Sequence, residues 1–328
     1  MASELIDEAR YLANRNDFLK LLKRVYADQN VAELVHNLNL ILVGGQALAV
    51  WHYQYFSTSN PMDVHYSFSD DVDFFGLKLS LEFLRKKLNV HIKTPEDFEP
   101  TVNLGIFTIP SIYNDNGYIL VDIIESVGGL EVAEIKNGTE IVTIDDFDLP
   151  LINPLLCLKS RIHNFFAPYK SDKLKELYRI DIAARCCKAF IREELDRGWT
   201  SEISKMVETV FGICKSIKGC ELYLKHKIDV MEAIDFTHPN FHKSFIEKRF
   251  PRALMEIQEK RAKREAHLKR FGNFNVYSKN ELNLSKAAIR FNKLTENNGS
   301  HPKPDFNQTI SPTEVIYFNK EIGDGFEP

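Results

Sequence analysis

The sequence predicts an α+β fold, because strand-like segments are gathered in its first half and helical periodicity dominates its second half. Up to residue 150, short apolar runs bounded by Gly, Asn and Pro are interspersed with amphipathic stretches. From 151 to 271, apolar residues recur mostly at helical spacing. We therefore expect a mixed sheet flanked by helices in residues 1–150, a helical bundle domain in 151–271, and a poorly ordered tail in 272–328, which is rich in Asn, Ser, Pro and Lys.

The individual elements follow from local patterns. Helices are predicted where apolar residues recur every three or four positions, and strands where branched and aromatic residues form short runs. Ser3 provides an N-cap for the first helix, and Asn137-Gly138 can adopt the positive φ angles of a type I′ hairpin turn. In chain order we expect helices over 3–28 and 31–39, a strand over 40–45, a helix over 46–56, a polar loop over 57–69, a strand over 71–76, a helix over 80–88, strands over 101–109 and 118–126, a hairpin over 132–144, and helices over 154–166, 172–196 and 201–217.

The composition is that of an ordinary globular protein. The chain has 328 residues, of which 44% are hydrophobic and 27% charged, and its formal net charge of −4 excludes a polycation built for non-specific nucleic-acid binding. The five cysteines form no CxxC pair, which favours reduced thiols over a metal or disulfide framework. No apolar run approaches the roughly 20 residues of a membrane span, and the first residues do not resemble a signal peptide. We expect a soluble, cytoplasmic protein without membrane partners.

Two aspartates in one predicted strand indicate a metal site. Asp71 and Asp73 are two positions apart in "DDVDFF", so a strand presents both carboxylates on the same face, where they repel each other. This repulsion between the two carboxylates is offset if they bind Mg²⁺, which prefers hard oxygen ligands. Asp122 stands inside the apolar run "ILVDII", where an unpaired carboxylate is expensive. We expect it to be the third ligand, and prefer it to Glu125, which lies on the opposite face of the same strand.

Gly44 and Gly45 lie between the first predicted strand and the helix that follows. A tight turn is one explanation. The other is a backbone that approaches a ligand closely, which only glycine permits.

These motifs together resemble the nucleotidyltransferase superfamily, and most closely its AbiE-type toxin family. The resemblance is carried by "GGQALAV" from Gly44 and by "SDDVDFF", which contains Ser69 and the Asp71-x-Asp73 pair. It implies a polymerase-beta-like core, a Mg²⁺-dependent transfer of a nucleoside monophosphate from a nucleoside triphosphate to an acceptor hydroxyl, and a two-metal site. It also implies a toxin or stress effector with a cognate antitoxin protein.

The resemblance also implies roles for individual residues. Asp71, Asp73 and Asp122 would hold the metal ions, while Gly44, Gly45 and Ser69 would contact the β- and γ-phosphates at the start of the helix near Gln46. The later motifs of the family match Lys159 in "LLCLKSRI", which would bring positive charge to the phosphates, and Asp181 in "ELYRIDIAA", which would orient Lys159 or the nucleotide. A surface lysine and an ordinary helix salt bridge are the alternatives for these two residues.

The segment 248–270 is strongly basic, and its charge is relevant to the class of molecule that accepts the nucleotide. It holds nine Lys or Arg and three Glu, a net charge of +6, so the remainder of the chain carries about −10. A basic helix favours RNA as the acceptor, for example a tRNA end, with Arg261 and Arg264 reaching the same backbone. The alternative is a solvated helix with i, i+4 pairs such as Glu256 with Lys260. Transfer to a small molecule or a protein hydroxyl, and a non-catalytic binding module, remain competing hypotheses.

Overall fold

The computed structural model describes residues 16–56, 71–96, 99, 101–112, 117–168 and 173–271. The predicted N-cap Ser3, the loop over 57–69 with Ser69, and the tail over 272–328 lie outside this part of the chain.

The secondary structure confirms the α+β class. The strands are β1 (Ile41–Val43), β2 (Asp71–Phe75), β3 (Asn103–Pro110), β4 (Tyr118–Ile124), β5 (Thr139–Ile144) and β6 (Phe147–Ile152). The helices are α1 (residues 16–26), α2 (Val31–Glu33, continued by a π turn over Leu34–Leu38), α3 (Gly44–Phe56), α4 (Lys78–Leu88), α5 (Val132–Asn137), α6 (Pro154–Phe166), α7 (Lys173–Asp196), α8 (Ser201–Lys215), α9 (Ile217–His226) and α10 (Phe250–Arg270, preceded by a π turn over Phe245–Arg249).

The six strands form one mixed sheet in the order β3-β4-β2-β1-β6-β5. The pairs β2–β4 and β1–β6 are parallel, whereas β3–β4, β1–β2 and β5–β6 are antiparallel. Strand β2 therefore lies between β1 and β4, and these three strands form the middle of the sheet.

The two faces of β2 have different chemistry, because successive side chains of a strand point to opposite sides. Val72 and Phe74 are fully buried, and the Phe74 ring meets Tyr26 of α1 edge to face, with centroids 6.2 Å apart. Asp71 and Asp73 occupy the other face and are only half-buried. The apolar face holds β2 in the core, which leaves the acidic face available for chemistry.

The predicted hairpin over 132–144 is wrong in its first half. Residues 132–137 form α5, and the observed hairpin joins β5 to β6 through a turn at Asp145, whose φ is +51°. Glu134 stabilises the start of α5 by accepting the Glu131 N–H at 2.9 Å, and the Ile135 side chain is fully buried. Gly138 serves close packing rather than a type I′ turn: a Cβ there would lie 2.6 Å from Leu156 Cδ1.

The chain after β6 is helical from α6 to α10, apart from short connections and a 3₁₀ turn over Val230–Ala233. Asn153 caps α6 by accepting the Leu156 N–H at 3.0 Å, and Pro154 takes the first helical position, where its missing N–H costs nothing. The boundary between two domains near residue 150 stays a prediction. Within the described residues, we find no helix that combines the length and apolar character required to cross a bilayer.

Candidate metal centre

Strand pairing brings three carboxylates together on the acidic face of the sheet. Asp73 of β2 lies beside Asp122 of the parallel strand β4, and Asp71 precedes Asp73 by two residues on the same face. One carboxylate oxygen from each residue lies within 4.8 Å of the others. A single divalent cation could contact all three residues, since carboxylate oxygens are the ligands that Mg²⁺ prefers.

Asp122 has an environment that suits a metal ligand. Burial raises the pKa of Asp122, and the nearby Asp71 carboxylate raises it further. Its Oδ1 atom is buried and has no hydrogen-bond partner. Since a buried acceptor without a partner costs free energy, a hard cation at this position would satisfy both the orphaned oxygen and the like-charge repulsion. The three residues therefore fit a site for a divalent cation.

Gly44 makes room for the Asp73 carboxylate. Helix α3 begins at Gly44, directly after β1, rather than near Gln46 as the sequence suggested. Gly44 has a φ of +72°, and a Cβ at this position would lie 1.9 Å from Asp73 Oδ2. Glycine is thus required at this position for two reasons: the backbone has a positive φ, and the Asp73 carboxylate leaves no room for a Cβ. Gly45 is the buried second residue of α3; its contact with phosphate, and that of Gly44, stay predictions.

Lys159 has a protein partner. Its Nζ on α6 donates to Glu134 Oε1 and Oε2 of α5 at 2.5 and 2.7 Å. Burial acts to raise the pKa of Glu134, but the Glu131 N–H and the Lys159 ammonium lower it overall. The ammonium is therefore engaged in a charge-assisted contact, and any role at a phosphate requires it to leave or share Glu134.

Asp181 lies on α7 and forms an i, i+4 pair with Arg185, with 3.4 Å between Oδ2 and Nε. Both residues line a cavity of about 650 Å³ that is also bordered by the 227–236 segment and by Phe250 of α10. The salt bridge that the sequence offered as the alternative is present.

A buried ionic cluster was not predicted. Arg161 of α6 and Glu176 and Arg179 of α7 are all less than a tenth exposed. Arg179 Nη1 donates to Glu176 Oε1 at 3.1 Å, and Arg161 Nη1 is 3.6 Å from the same oxygen. The signal in the sequence was three charged residues at positions where the helical pattern expects apolar ones, a weak signal because long charged side chains often reach solvent.

The basic segment forms α10 and the π turn before it, but the two arginines chosen from the sequence are engaged inside the fold. Arg261 binds Asp229 Oδ1 and Oδ2 at 2.6 and 3.1 Å, and its guanidinium lies 3.6 Å from the Tyr223 ring centroid. Arg264 binds Glu221. This corrects the prediction that Arg261 and Arg264 are free to grip a partner.

The rest of the segment contains i, i+4 pairs of the kind offered as the alternative to RNA binding, although not the pair of Glu256 with Lys260: Lys269 binds Glu265 at 2.6 Å, and Arg252 is the i, i+4 partner of Glu256. Glu256 binds Lys215 of α8 at 3.1 Å and Arg252 at 3.3 Å rather than Lys260. The exposed cations of the segment are Lys248, Arg252, Lys260, Lys263, Lys269 and Arg270.

Two solved structures described below are distantly similar to the chain. No family profile and no curated protein matches the chain. Among solved structures, it is similar to an antigenic nucleotidyltransferase-like protein from Paracoccidioides brasiliensis, with a TM-score of 0.35 and 12% identity over 51% of this chain and 76% of that one. It is also similar to the Megavirus polyadenylate synthase, with a TM-score of 0.33 and 14% identity over 69% of this chain and 44% of that one. At these values the function has to be inferred from the side chains of the candidate centre.

Proposed function

We propose that the protein is a Mg²⁺-dependent nucleotidyltransferase, in which an acceptor hydroxyl attacks the α-phosphorus of a nucleoside triphosphate and pyrophosphate leaves. The observation that carries this proposal is the group of Asp71, Asp73 and Asp122 within 4.8 Å, with a buried orphan oxygen on Asp122. Such a group is unfavourable without a cation, and a cation between carboxylates and phosphate oxygens is a usual arrangement for this chemistry.

The chain's own residues would divide the work. Asp71 and Asp73 would hold the cation that binds the triphosphate, and Asp122 would complete the set and help to remove the proton of the attacking hydroxyl. Gly44 and Gly45, with Ser69, would offer backbone and hydroxyl donors to the β- and γ-phosphates. When bound, Mg²⁺ would supply charge stabilisation at the reacting phosphate and at the leaving pyrophosphate.

Lys159 and Asp181 keep their proposed roles with a modification. Lys159 would turn from Glu134 toward the phosphates when the nucleotide binds, since an ammonium on a four-carbon stem can exchange one anionic partner for another. Asp181 would act through the nucleotide or through Lys159, and its present partner is Arg185.

RNA is the acceptor that we favour, because six exposed cations lie on α10 and the turn before it, four of them outside the pairs Arg252–Glu256 and Lys269–Glu265. A small molecule or a protein hydroxyl is the second candidate, and the internal pairing of Arg261 and Arg264 favours it by reducing the charge available to a phosphate backbone. A role as a toxin with an antitoxin partner is part of the proposal and derives from the sequence resemblance alone. A binding module without turnover is the third candidate.

Incubation with each α-³²P-labelled nucleoside triphosphate, Mg²⁺, and either tRNA, protein or small acceptors tests the proposal. We expect label transfer by the wild type and none by Asp73→Asn, which keeps the shape of the side chain and removes its charge. Glu125→Gln is a matched control, because Glu125 is an exposed acid just after β4. Label transfer by Asp73→Asn at the wild-type rate, or no transfer to any acceptor, would refute the proposed function.

A further inference from the structure

Lys218 is a half-buried cation that lacks a carboxylate partner. Its ammonium, in the first turn of α9, lies 3.2 Å from Nδ1 of His163 on α6, and within the described residues no acidic side chain pairs with it. The first turn of α9 contains no acid, and the free N–H groups at the start of a helix add positive potential there. By contrast, a glutamate pairs with each of the partly buried lysines Lys159, Lys215 and Lys225. The charge of Lys218 is therefore not offset in the described part of the chain.

The imidazole of His163 provides a second donor beside this cation. An ammonium can only donate, so Nδ1 accepts the contact and the proton of the neutral ring lies on Nε2. Burial lowers the pKa of His163, and the charge of Lys218 lowers it further, which keeps the ring neutral. Within the described residues, Nε2 has no acceptor and is not fully enclosed by protein. Its N–H can therefore donate to a molecule that arrives from solvent.

Two glycines shape the surroundings of the His163 ring. Gly128 and Gly129 lie in the connection from β4 to α5, and a Cβ at Gly128 would be 2.9 Å from His163 Cδ2, while one at Gly129 would be 2.6 Å from His163 Cβ. Gly129 also has a φ of +80°, which favours glycine. The glycines let the backbone pack directly against His163, which limits the movement of its ring.

Lys159 brings another cation to the same face of α6. It precedes His163 by four residues, a spacing that places two side chains of a helix one turn apart on one face. Its partner Glu134 lies on α5, directly after the glycine connection. The group of Lys159, His163, Lys218 and Glu134 thus has two ammonium groups and one carboxylate, so that one positive charge is in excess.

We propose that Lys218 and His163 form a binding site for a phosphate group, in which the Lys218 ammonium is the charged contact and the Nε2–H of His163 is a neutral donor. A phosphate group has negative charge and several acceptor oxygens, which suits two adjacent donors, whereas the ammonium would repel a metal cation. This inference rests on the proposed function, which supplies two phosphate-bearing ligands: the triphosphate of the nucleotide and the backbone of an RNA acceptor. Lys159 would join the site when it leaves Glu134.

Two binding measurements in EDTA test the site, because EDTA removes the contribution of the candidate metal centre. Calorimetry gives the affinity for an α,β-methylene triphosphate analogue, and fluorescence anisotropy gives the affinity for a labelled RNA oligonucleotide at two salt concentrations. Lys218→Met keeps the aliphatic stem and should weaken binding of the ligand that supplies the phosphate by about tenfold or more, because a charge-assisted hydrogen bond is lost. If that ligand is RNA, the slope of log affinity against log salt should also fall by roughly 0.7–0.9.

Lys225→Met on the same helix is the matched control. Lys225 binds Glu221 at 2.8 Å, and Arg264 pairs with the same glutamate, so this variant should leave both affinities unchanged. Lys218→Arg keeps the charge and should retain binding. His163→Phe keeps a flat ring and removes both nitrogens; it should weaken binding of the same ligand, and it provides a second reading if Lys218→Met does not fold.

Unchanged affinity for both ligands in Lys218→Met and His163→Phe would overturn the inference, as would an equal loss in Lys225→Met or a wild type that binds neither ligand in EDTA. The two proposals fail separately. A wild type that transfers label, with unchanged binding in Lys218→Met, refutes only the phosphate site. A wild type that transfers no label to any acceptor, but loses phosphate-ligand affinity on Lys218→Met, refutes the proposed function and supports the site.

Discussion

Replacing Gly44 by alanine perturbs the candidate centre through a single methyl group. The new Cβ would lie 1.9 Å from Asp73 Oδ2 and 2.8 Å from Asp73 Cγ, and the backbone would have to keep a φ of +72°. The left-handed conformation costs a non-glycine residue about 1–2 kcal/mol. Moving the Asp73 carboxylate out of contact takes its side chain away from a preferred rotamer, which adds about 1 kcal/mol. We expect the free energy of unfolding to fall by about 2–3 kcal/mol.

The same substitution should weaken cation binding, because Asp73 can no longer occupy its present position beside Asp122. Loss of a group that orients a metal ligand typically lowers affinity by about 10–100-fold. Urea unfolding in EDTA measures the change in the free energy of unfolding, and Mn²⁺ titration measures the change in cation affinity.

Substitutions at two other glycines separate the effect of backbone strain from the effect of the contact with the Asp73 carboxylate. Gly198 has a φ of +114°, and a methyl group added there would have nothing within 4 Å, so Gly198→Ala carries the backbone strain alone. Gly212 lies inside α8 with open space around it, and Gly212→Ala should stabilise the protein by about 0.5–1 kcal/mol. If Gly44→Ala costs no more than Gly198→Ala and leaves Mn²⁺ affinity unchanged, the contact between Gly44 and the carboxylate has no role.

The remaining predictions concern the third carboxylate, the Lys159 ion pair and the basic helix. Asp122→Asn should leave the stability of the metal-free protein unchanged or raised, because it removes a buried charge, while Mn²⁺ affinity falls by about tenfold or more. Lys159→Met should weaken binding of a non-hydrolysable triphosphate analogue in a calorimetric titration, whereas Glu134→Gln, which releases the ammonium, should preserve or tighten it. Lys263→Glu should lower the slope of log RNA affinity against log salt by roughly 0.7–0.9. Arg261→Gln should leave that slope unchanged and destabilise the protein, because it leaves Asp229 without its partner.

Each of these has a clear contrary result. Strong destabilisation by Asp122→Asn in EDTA would mean that the carboxylate is a structural acceptor. Equal nucleotide affinity in Lys159→Met and Glu134→Gln would mean that this ion pair stabilises the fold and does not contact the nucleotide. An identical salt slope for Lys263→Glu and wild type would remove the main reason to prefer RNA over a small-molecule acceptor.

Sequence patterns alone predicted the α+β class, the segments of most helices and strands, and the aspartates of the candidate centre. These features are local: hydrophobic periodicity specifies an element, and a charged residue in an apolar strand stands out wherever that strand lies. Asp122 was selected because its strand is apolar, and the structure brings it beside Asp73.

Tertiary structure decided what local patterns leave open. Asn137-Gly138 has the chemistry of a hairpin turn, yet burial of Ile135 and the close approach of Leu156 to Gly138 favour a short helix there. Arg261 looked like an exposed cation because its partner Asp229 lies on a different element, 32 residues away. Arg161 and Arg179 share the Glu176 carboxylate only because the packing of α6 against α7 buries all three side chains together. The residue that a given side chain contacts depends on which distant parts of the chain pack together, and a local sequence pattern does not contain this information.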